Sequence, residues 1–126
     1  PPSSEDFISH EEIKRIEEKL SLSEYFKEHV FSPSEIAYCE KQKNPFISYA
    51  ARWAVKEAYL KAFGLKFIGN HKLPEIETLN DEDGKPSIHL LGKALLDFEA
   101  KQFGNIHVSI SHTPAYATAY VIVESK

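Results

Sequence analysis

PFISYAARWAVKEAYLKAF, residues 45–63, is the longest helical pattern of the chain, and the fold is read outward from it. At about 100° per residue, a helix gathers Phe46, Ile47, Ala50, Ala51, Trp53, Ala54, Ala58, Leu60 and Ala62 onto one broad apolar arc. Glu57 and Lys61 fall inside that arc, while Arg52 and Lys56 lie on the opposite side. Charges are costly to bury unless they are paired or bind something. Two readings are open. Glu57 and Lys61 form an i,i+4 ion pair, which stabilises a helix by roughly 0.2–0.5 kcal/mol. Alternatively, Glu57 faces a cleft and holds a metal, with Lys61 beside it for phosphate.

Asn44-Pro45 starts this helix and Gly64 is a plausible stop. Upstream, Ser32-Pro33-Ser34-Glu35 predicts another helix start, with Ser32 as N-cap, Pro33 in the first position and Glu35 closing a capping box. Residues 10–20 place Ile13, Ile16 and Leu20 at helical spacing among charges. Tyr25-Phe26 and Val30-Phe31 read as core. Downstream the period changes. Glu75 to Asn80 and Pro86 to Leu91 are strand-like runs joined by Asp81-Glu82-Asp83-Gly84, a hairpin signal. Gly92 to Gly104 brackets a short helix bearing Leu95, Leu96 and Phe98. Ile106 to Ser111 and Tyr116 to Val123 are β-branched and aromatic, with Thr113-Pro114 as the turn between them. Helices first and mostly strands after predict an α+β fold, helices packed on an antiparallel sheet.

The 126 residues fit a single domain able to bury a core without disulfide staples. A hydrophobic share of 42% with 27% charged residues excludes a disordered or low-complexity chain. The net charge of −4 gives no whole-molecule field that would recruit nucleic acid or an anionic membrane. No apolar run approaches the roughly 18–20 residues that span a bilayer. The lone Cys39 rules out an internal disulfide framework and suits a reducing compartment. No Gly-rich phosphate loop, CxxC pair, HExxH or GxSxG occurs, which removes most nucleotide-loop, zinc and serine-hydrolase readings.

Other residues stay ambiguous on their own. Alternation along Ile106 to His112 puts His112 on the face of Val108 and Ile110, as a structural histidine or a ligand. Asp6 is a cap, a solvated acid or a ligand. Lys14, Arg15 and Lys19 alternate with Glu11, Glu12, Glu17 and Glu18, which reads as a solvated face more readily than as a basic docking patch.

Taken together, four segments resemble one family. Arg52-Trp53-Ala54-Val55-Lys56-Glu57-Ala58-Tyr59-Leu60-Lys61 is similar to the phosphopantetheinyl transferase signature: an aromatic residue, two residues, Lys-Glu-Ala, two residues, Lys. Phe26, Glu28-His29-Val30-Phe31-Ser32, Glu35 and Tyr38-Cys39 resemble the segment that precedes it in holo-acyl-carrier-protein synthases. Asp83-Gly84-Lys85-Pro86 resembles their Asn/Asp-Gly-Lys-Pro turn, and Val108-Ser109-Ile110-Ser111-His112-Thr113 with Tyr116-Ala117 their C-terminal strand pair. The order is right and the segments span nearly all of residues 6–126, at the length of the single-domain type.

The resemblance implies a 4′-phosphopantetheinyl transferase-like single domain that uses coenzyme A, Mg²⁺ and an acyl carrier protein. It implies that Glu57 and Asp6 are Mg²⁺ ligands, that Lys61 neutralises the pyrophosphate and that Arg52 binds a coenzyme A phosphate. Gly84, Lys85 and Pro86 would border the adenine, and His112 and Thr113 would reach the 3′-phosphate. It further implies a homotrimer with each cleft between neighbouring subunits, in the cytoplasm, with the mitochondrial matrix as alternative. The chemistry suits these roles, since attack of a serine hydroxyl on a pyrophosphate needs a hard cation and fixed positive charge at the leaving 3′,5′-ADP.

One departure stands out. The family carries a hydrophobic strand with Gly-x-Asp at its N-terminus, where this chain has Pro-Pro-Ser-Ser-Glu-Asp. The expectation is a strand that is absent or very short, with residues 1–5 outside the family pattern or disordered. Two rivals follow: a carrier-binding module of the same fold with impaired turnover, and a trimeric interaction domain whose Glu57–Lys61 pair is structural.

Overall fold

The computed structural model describes residues 4–63 and 73–125. Strand β1 (Ser4–Glu12) is followed by four helices, α1 (Ile13–Leu22), α2 (Glu24–Val30), α3 (Pro33–Glu40) and α4 (Pro45–Phe63). A 3₁₀ turn (Leu73–Glu75) leads into the hairpin β2 (Ile76–Asn80) and β3 (Pro86–Leu90). Helix α5 (Gly92–Ala100) and the strands β4 (Phe103–His112) and β5 (Tyr116–Ser125) complete the chain. Strands β1, β5 and β4 form one antiparallel sheet with β5 in the centre, and β2 and β3 form a second, two-stranded sheet. The α+β expectation holds. Among the described residues no helix is long and apolar enough to cross a membrane.

Local sequence explains most elements. The Ser32 side chain accepts from the Glu35 N–H while the Glu35 carboxylate accepts from the Ser32 N–H, the reciprocal box read from the sequence. Asn44 Oδ1 accepts from the Phe46 N–H at 3.2 Å as α4 begins. Gly64 lies outside the described residues. Between β2 and β3, Asp81 Oδ1 accepts from the N–H groups of Asp83 (2.9 Å) and Lys85 (2.8 Å), and Gly84 takes the positive φ of 83° that closes the turn.

Three expectations need correction. First, β1 is a full strand of nine residues, with Ser4 opposite Glu124 and Glu12 opposite Tyr116. Its polar residues conceal it in isolation; pairing along β5 overrides weak local propensity. Ser4 and Glu5 belong to this strand, and residues 1–3 lie outside the described residues. The helix expected over 10–20 therefore begins only at Ile13. Second, α2 forms where only core residues were read, capped by the Ser23 side chain accepting from the Tyr25 N–H. Val30 and Phe31 are buried, but Tyr25 is 67% exposed and stacks on His29. Third, the side of α4 opposite the apolar arc, which carries Arg52 and Lys56, is covered as well, beyond what a single apolar arc implies. From Ala50 to Leu60 every residue of α4 except Glu57 is buried.

A helix buried on all sides is one enclosed between layers. On one side α4 packs Ala54, Val55 and Ala58 against Ala119, Val121 and Val123 of β5, small side chains on both surfaces bringing helix and sheet close. On another, Ala50, Ala51 and Trp53 meet Ile13 and Ile16 of α1 and Phe31. Farther along, Tyr59 and Leu60 join Ile76 and Leu90 of the hairpin and Ala94 of α5.

Candidate functional site

Glu57 is the one residue of that buried run with partial exposure, and its Oε1 is buried without a hydrogen-bond partner among the described residues. An orphaned carboxylate oxygen costs desolvation energy that folding alone does not recover. Glu57 lines a cavity of about 250 Å³ with Trp53 of α4, Glu11 of β1, and Arg15 and Lys19 of α1. Burial pushes the Glu11 carboxyl above the usual carboxylate range; the hydrogen bond from Trp53 and the charges of Arg15, Lys19 and Lys61 pull back. Lys61, one turn beyond Glu57, is exposed and donates to the Ile8 carbonyl at 3.2 Å. Two carboxylates are thus ringed by cations where α4 crosses β1. Asp6 lies on the same strand, opposite Ile122, and its side chain lies outside the described residues.

Arg52 sits in a different setting. It is 3% exposed, its guanidinium lies 4.2 Å from the Tyr38 ring centroid, and Nη2 donates to Asn80 Oδ1 at 2.6 Å. Asn80 Nδ2 in turn donates to the Gly84 carbonyl at 3.0 Å. Arg52 is therefore coupled through one side chain to the Gly84-Lys85-Pro86 turn, and its Nε is buried without a partner among the described residues. Gly84 and Lys85 are exposed, and Pro86 opens β3.

His112 ends β4, exposed, opposite Ala117. Thr113 Oγ1 accepts from the N–H groups of Ala115 (3.2 Å) and Tyr116 (3.0 Å), which spends its acceptor capacity locally and leaves the O–H to donate outward. The Ala115 carbonyl accepts from the Ile13 N–H at 2.9 Å, seating this turn on the start of α1. A larger cavity of about 460 Å³ opens there, but its charged lining is Glu12, Lys14 and Glu17, a poor match for phosphate.

The structure thus gathers Glu57 with Lys61's strand anchor and gathers Arg52 with the hairpin turn, while His112 lies across β5 from Glu11, both opposite Ala117, with Thr113 in the turn that follows. Sequence reasoning missed Glu11, Arg15 and Lys19 as cavity residues. Their i,i+4 spacing was visible, but the alternating Glu and Lys pattern pointed to a solvated face. It also missed the partner of Lys56: the Glu35 carboxylate, read only as a cap, lies 2.7 Å from the buried Lys56 ammonium. Among the described residues no three His, Cys, Asp or Glu side chains gather as a metal cage.

Comparison with known proteins bears on this arrangement. A family model described as the 4′-phosphopantetheinyl transferase superfamily matches residues 9–121. The holo-[acyl-carrier-protein] synthase of Syntrophus aciditrophicus is 41% identical over 119 residues, covering 94% of this chain and 91% of that protein. That of Ruminiclostridium cellulolyticum is 44% identical over 119 residues, covering 94% and 87%. Among solved structures, the ACPS–CoA complex of Chronobacterium ammoniagenes superposes with a TM-score of 0.85 at 28% identity, covering 98% of both chains. A Bacillus anthracis holo-(acyl-carrier-protein) synthase in complex with CoA (3′,5′-ADP) gives 0.79 at 30% identity, covering 96% of both. With its buried helix carrying Lys-Glu-Ala, its hairpin turn and its antiparallel sheet all matched over nearly their whole length, this chain belongs to the 4′-phosphopantetheinyl transferase superfamily.

Proposed function

We propose that the protein is a holo-acyl-carrier-protein synthase. It transfers 4′-phosphopantetheine from coenzyme A to a serine of an apo acyl carrier protein and releases 3′,5′-ADP. The relatives named above and the coenzyme A complexes support the reaction class. The observation that carries the site is the orphaned Oε1 of Glu57 in a cavity ringed by cations.

The donors present fit Mg²⁺, which favours carboxylate and water ligands and borrows the rest of its shell from substrate phosphates. Glu57 would hold it, with Glu11 in the same cavity and Asp6 on the same strand as further carboxylates. When bound, the ion supplies a Lewis acid for the pyrophosphate oxygens. Lys61, held toward β1 by the Ile8 carbonyl, neutralises charge on the pyrophosphate as the bond to 3′,5′-ADP breaks. Arg52 supports the nucleotide through Asn80 and the Gly84-Lys85-Pro86 turn, which borders the adenine. His112 and the outward Thr113 hydroxyl meet the 3′-phosphate.

Assembly as a homotrimer accompanies this reading. The sheet face turned away from α4 carries Ile8, 48% exposed, paired with Tyr120, and a neighbouring subunit would cover it. Both edge strands of so small a sheet also gain from company. The lone buried Cys39, whose thiol burial pushes up to about 12, suits the reducing cytoplasm.

The test is a turnover assay with coenzyme A, Mg²⁺ and an apo acyl carrier protein, read by the mass gain of the carrier. Full conversion is expected. Carrier binding without mass gain would establish the rival reading, a binding module of the same fold.

A further inference from the structure

Lys56 adjoins Glu57 in sequence but faces the other layer, and no step of the transfer uses it. Its ammonium, completely buried, donates to Glu35 Oε1 at 2.7 Å, to the Leu73 carbonyl at 2.9 Å and to the Ile76 carbonyl at 2.5 Å. An ammonium has three N–H donors, so none remains for a substrate. Glu35 is equally buried and accepts from the Ser32 N–H and the Thr78 N–H, each at 3.0 Å. The Ser32 hydroxyl continues to Glu77 Oε2 at 2.6 Å, and Glu77 Oε1 lies 3.2 Å from His89 Nδ1 at the surface. One ion pair therefore clasps α4, the N-terminus of α3 and the entry to β2.

The clasp has a mechanical meaning. The β2–β3 hairpin is a sheet of its own, without ladder hydrogen bonds to the three-stranded sheet, and a lone hairpin is marginal. Ile76 and Leu90 pack it against Tyr59 and Leu60, but apolar packing is non-directional and leaves sliding cheap. The directed bonds of Lys56 and Glu35, with Arg52 to Asn80 farther along, fix where the hairpin stands on the helix.

We infer that Glu35 and Lys56 are a positioning pair for the transfer reaction, holding the Gly84-Lys85-Pro86 turn in the register against α4 that coenzyme A binding requires. The inference rests on the proposed contact between that turn and coenzyme A. A buried pair replaced by well-packed apolar residues of similar volume is often neutral for stability; because this pair also serves the Leu73, Ile76 and Thr78 backbone, melting temperatures separate fold from position.

The test compares the unaltered protein with the double variant Glu35→Gln/Lys56→Met, after matching their melting temperatures and oligomeric states. KM for coenzyme A should rise about tenfold or more while kcat stays within about threefold, because the pair touches neither the reacting atoms nor Glu57's cavity. A folded double variant with the parental KM overturns the inference. Should the double variant not fold, Glu35→Asp keeps the charge and shortens the reach by one methylene. The same rise is expected, and a folded Glu35→Asp with parental KM overturns the proposal equally. Lys85→Ala, assayed alongside, separates the two failures. Unchanged KM there removes the turn as a coenzyme A contact; raised KM there with parental KM in the pair variants removes only the positioning role.

Discussion

The Lys61 ammonium reaches the backbone carbonyl of Ile8 at 3.2 Å, so the last described turn of α4 is tied to the strand that carries Glu11. A backbone carbonyl is a weak counter-charge for an exposed lysine. The contact holds the side chain over β1 while leaving its charge for a ligand. Lys61→Ala should therefore lower kcat by about 100-fold, in the range seen when one preorganised transition-state donor is removed, with a smaller effect on KM. Steady-state kinetics with coenzyme A varied at saturating carrier protein decides it. A loss confined to KM would place Lys61 in ground-state binding only.

Glu57→Gln should abolish turnover without unfolding the chain. Among the described residues Oε1 has no partner to lose, and an amide matches the carboxylate in shape but not in charge. Isothermal titration with Mn²⁺ as a probe should show weakened metal binding with the melting temperature preserved. Unchanged Mn²⁺ affinity would remove Glu57 as a ligand.

His112→Ala should raise KM for coenzyme A and leave the affinity for 3′-dephospho-coenzyme A nearly unchanged. A donor contact to a charged group is worth about 1.5–3 kcal/mol, or roughly 10- to 150-fold. If the variant discriminates the two ligands as well as the parent does, His112 only terminates β4.

Stability should carry a pH signature of Glu11. Its carboxyl is raised in the folded chain, first by burial, against the Trp53 hydrogen bond and the nearby cations. The folded state therefore holds the proton more tightly than the unfolded state. The associated stability is present at acid pH and is lost as pH rises through the raised value. Urea denaturation of Glu11→Gln across the carboxylate range should show a shallower fall with rising pH than the parent. Parallel profiles would mean that the cations cancel the burial.

Two glycines with positive φ should respond differently to alanine. At Gly92, with φ of 52°, an added Cβ would lie 2.6 Å from a carboxylate oxygen of Glu75, whose other oxygen caps the Ala94 N–H at 3.1 Å. At Gly84, with φ of 83°, an added Cβ would meet no neighbour within 4 Å among the described residues. Gly84→Ala should cost about 1–2 kcal/mol from backbone strain alone, and Gly92→Ala more, with partial loss of the α5 cap. Urea midpoints order the two.

The parts of this fold legible in the sequence are those decided locally. The Ser32–Glu35 box, the Asp81–Gly84 turn and the periodicity of residues 45–63 involve neighbours a few positions apart. What escaped depended on distant partners. A helical wheel displays one apolar arc and cannot show that a second layer covers the other side, so Lys56 and Arg52 read only as lying opposite that arc until Glu35, Asn80 and Tyr38 were placed around them. β1 escaped because Ser-Glu-Asp-Phe-Ile-Ser-His-Glu-Glu has little strand character of its own; its strand exists through pairing with residues 116–124. Within the site, Glu57 and Lys61 stood out through their motif, whereas Glu11 had no motif and is found only by where β1 passes.

The central position of β5 sets an order of events during synthesis. Both β1 and β4 pair with this strand, so β1 waits for residues 116–124 before it has a sheet neighbour. Contacts of such long sequence separation are slow to form, since closure entropy precedes any reward. Until residues 116–125 emerge from the ribosome, the small-residue face of α4 and the partnerless β1 stand open together. A nascent chain stalled before that point carries an open apolar helix face and an unpaired strand, the two features that make partly folded chains prone to aggregate.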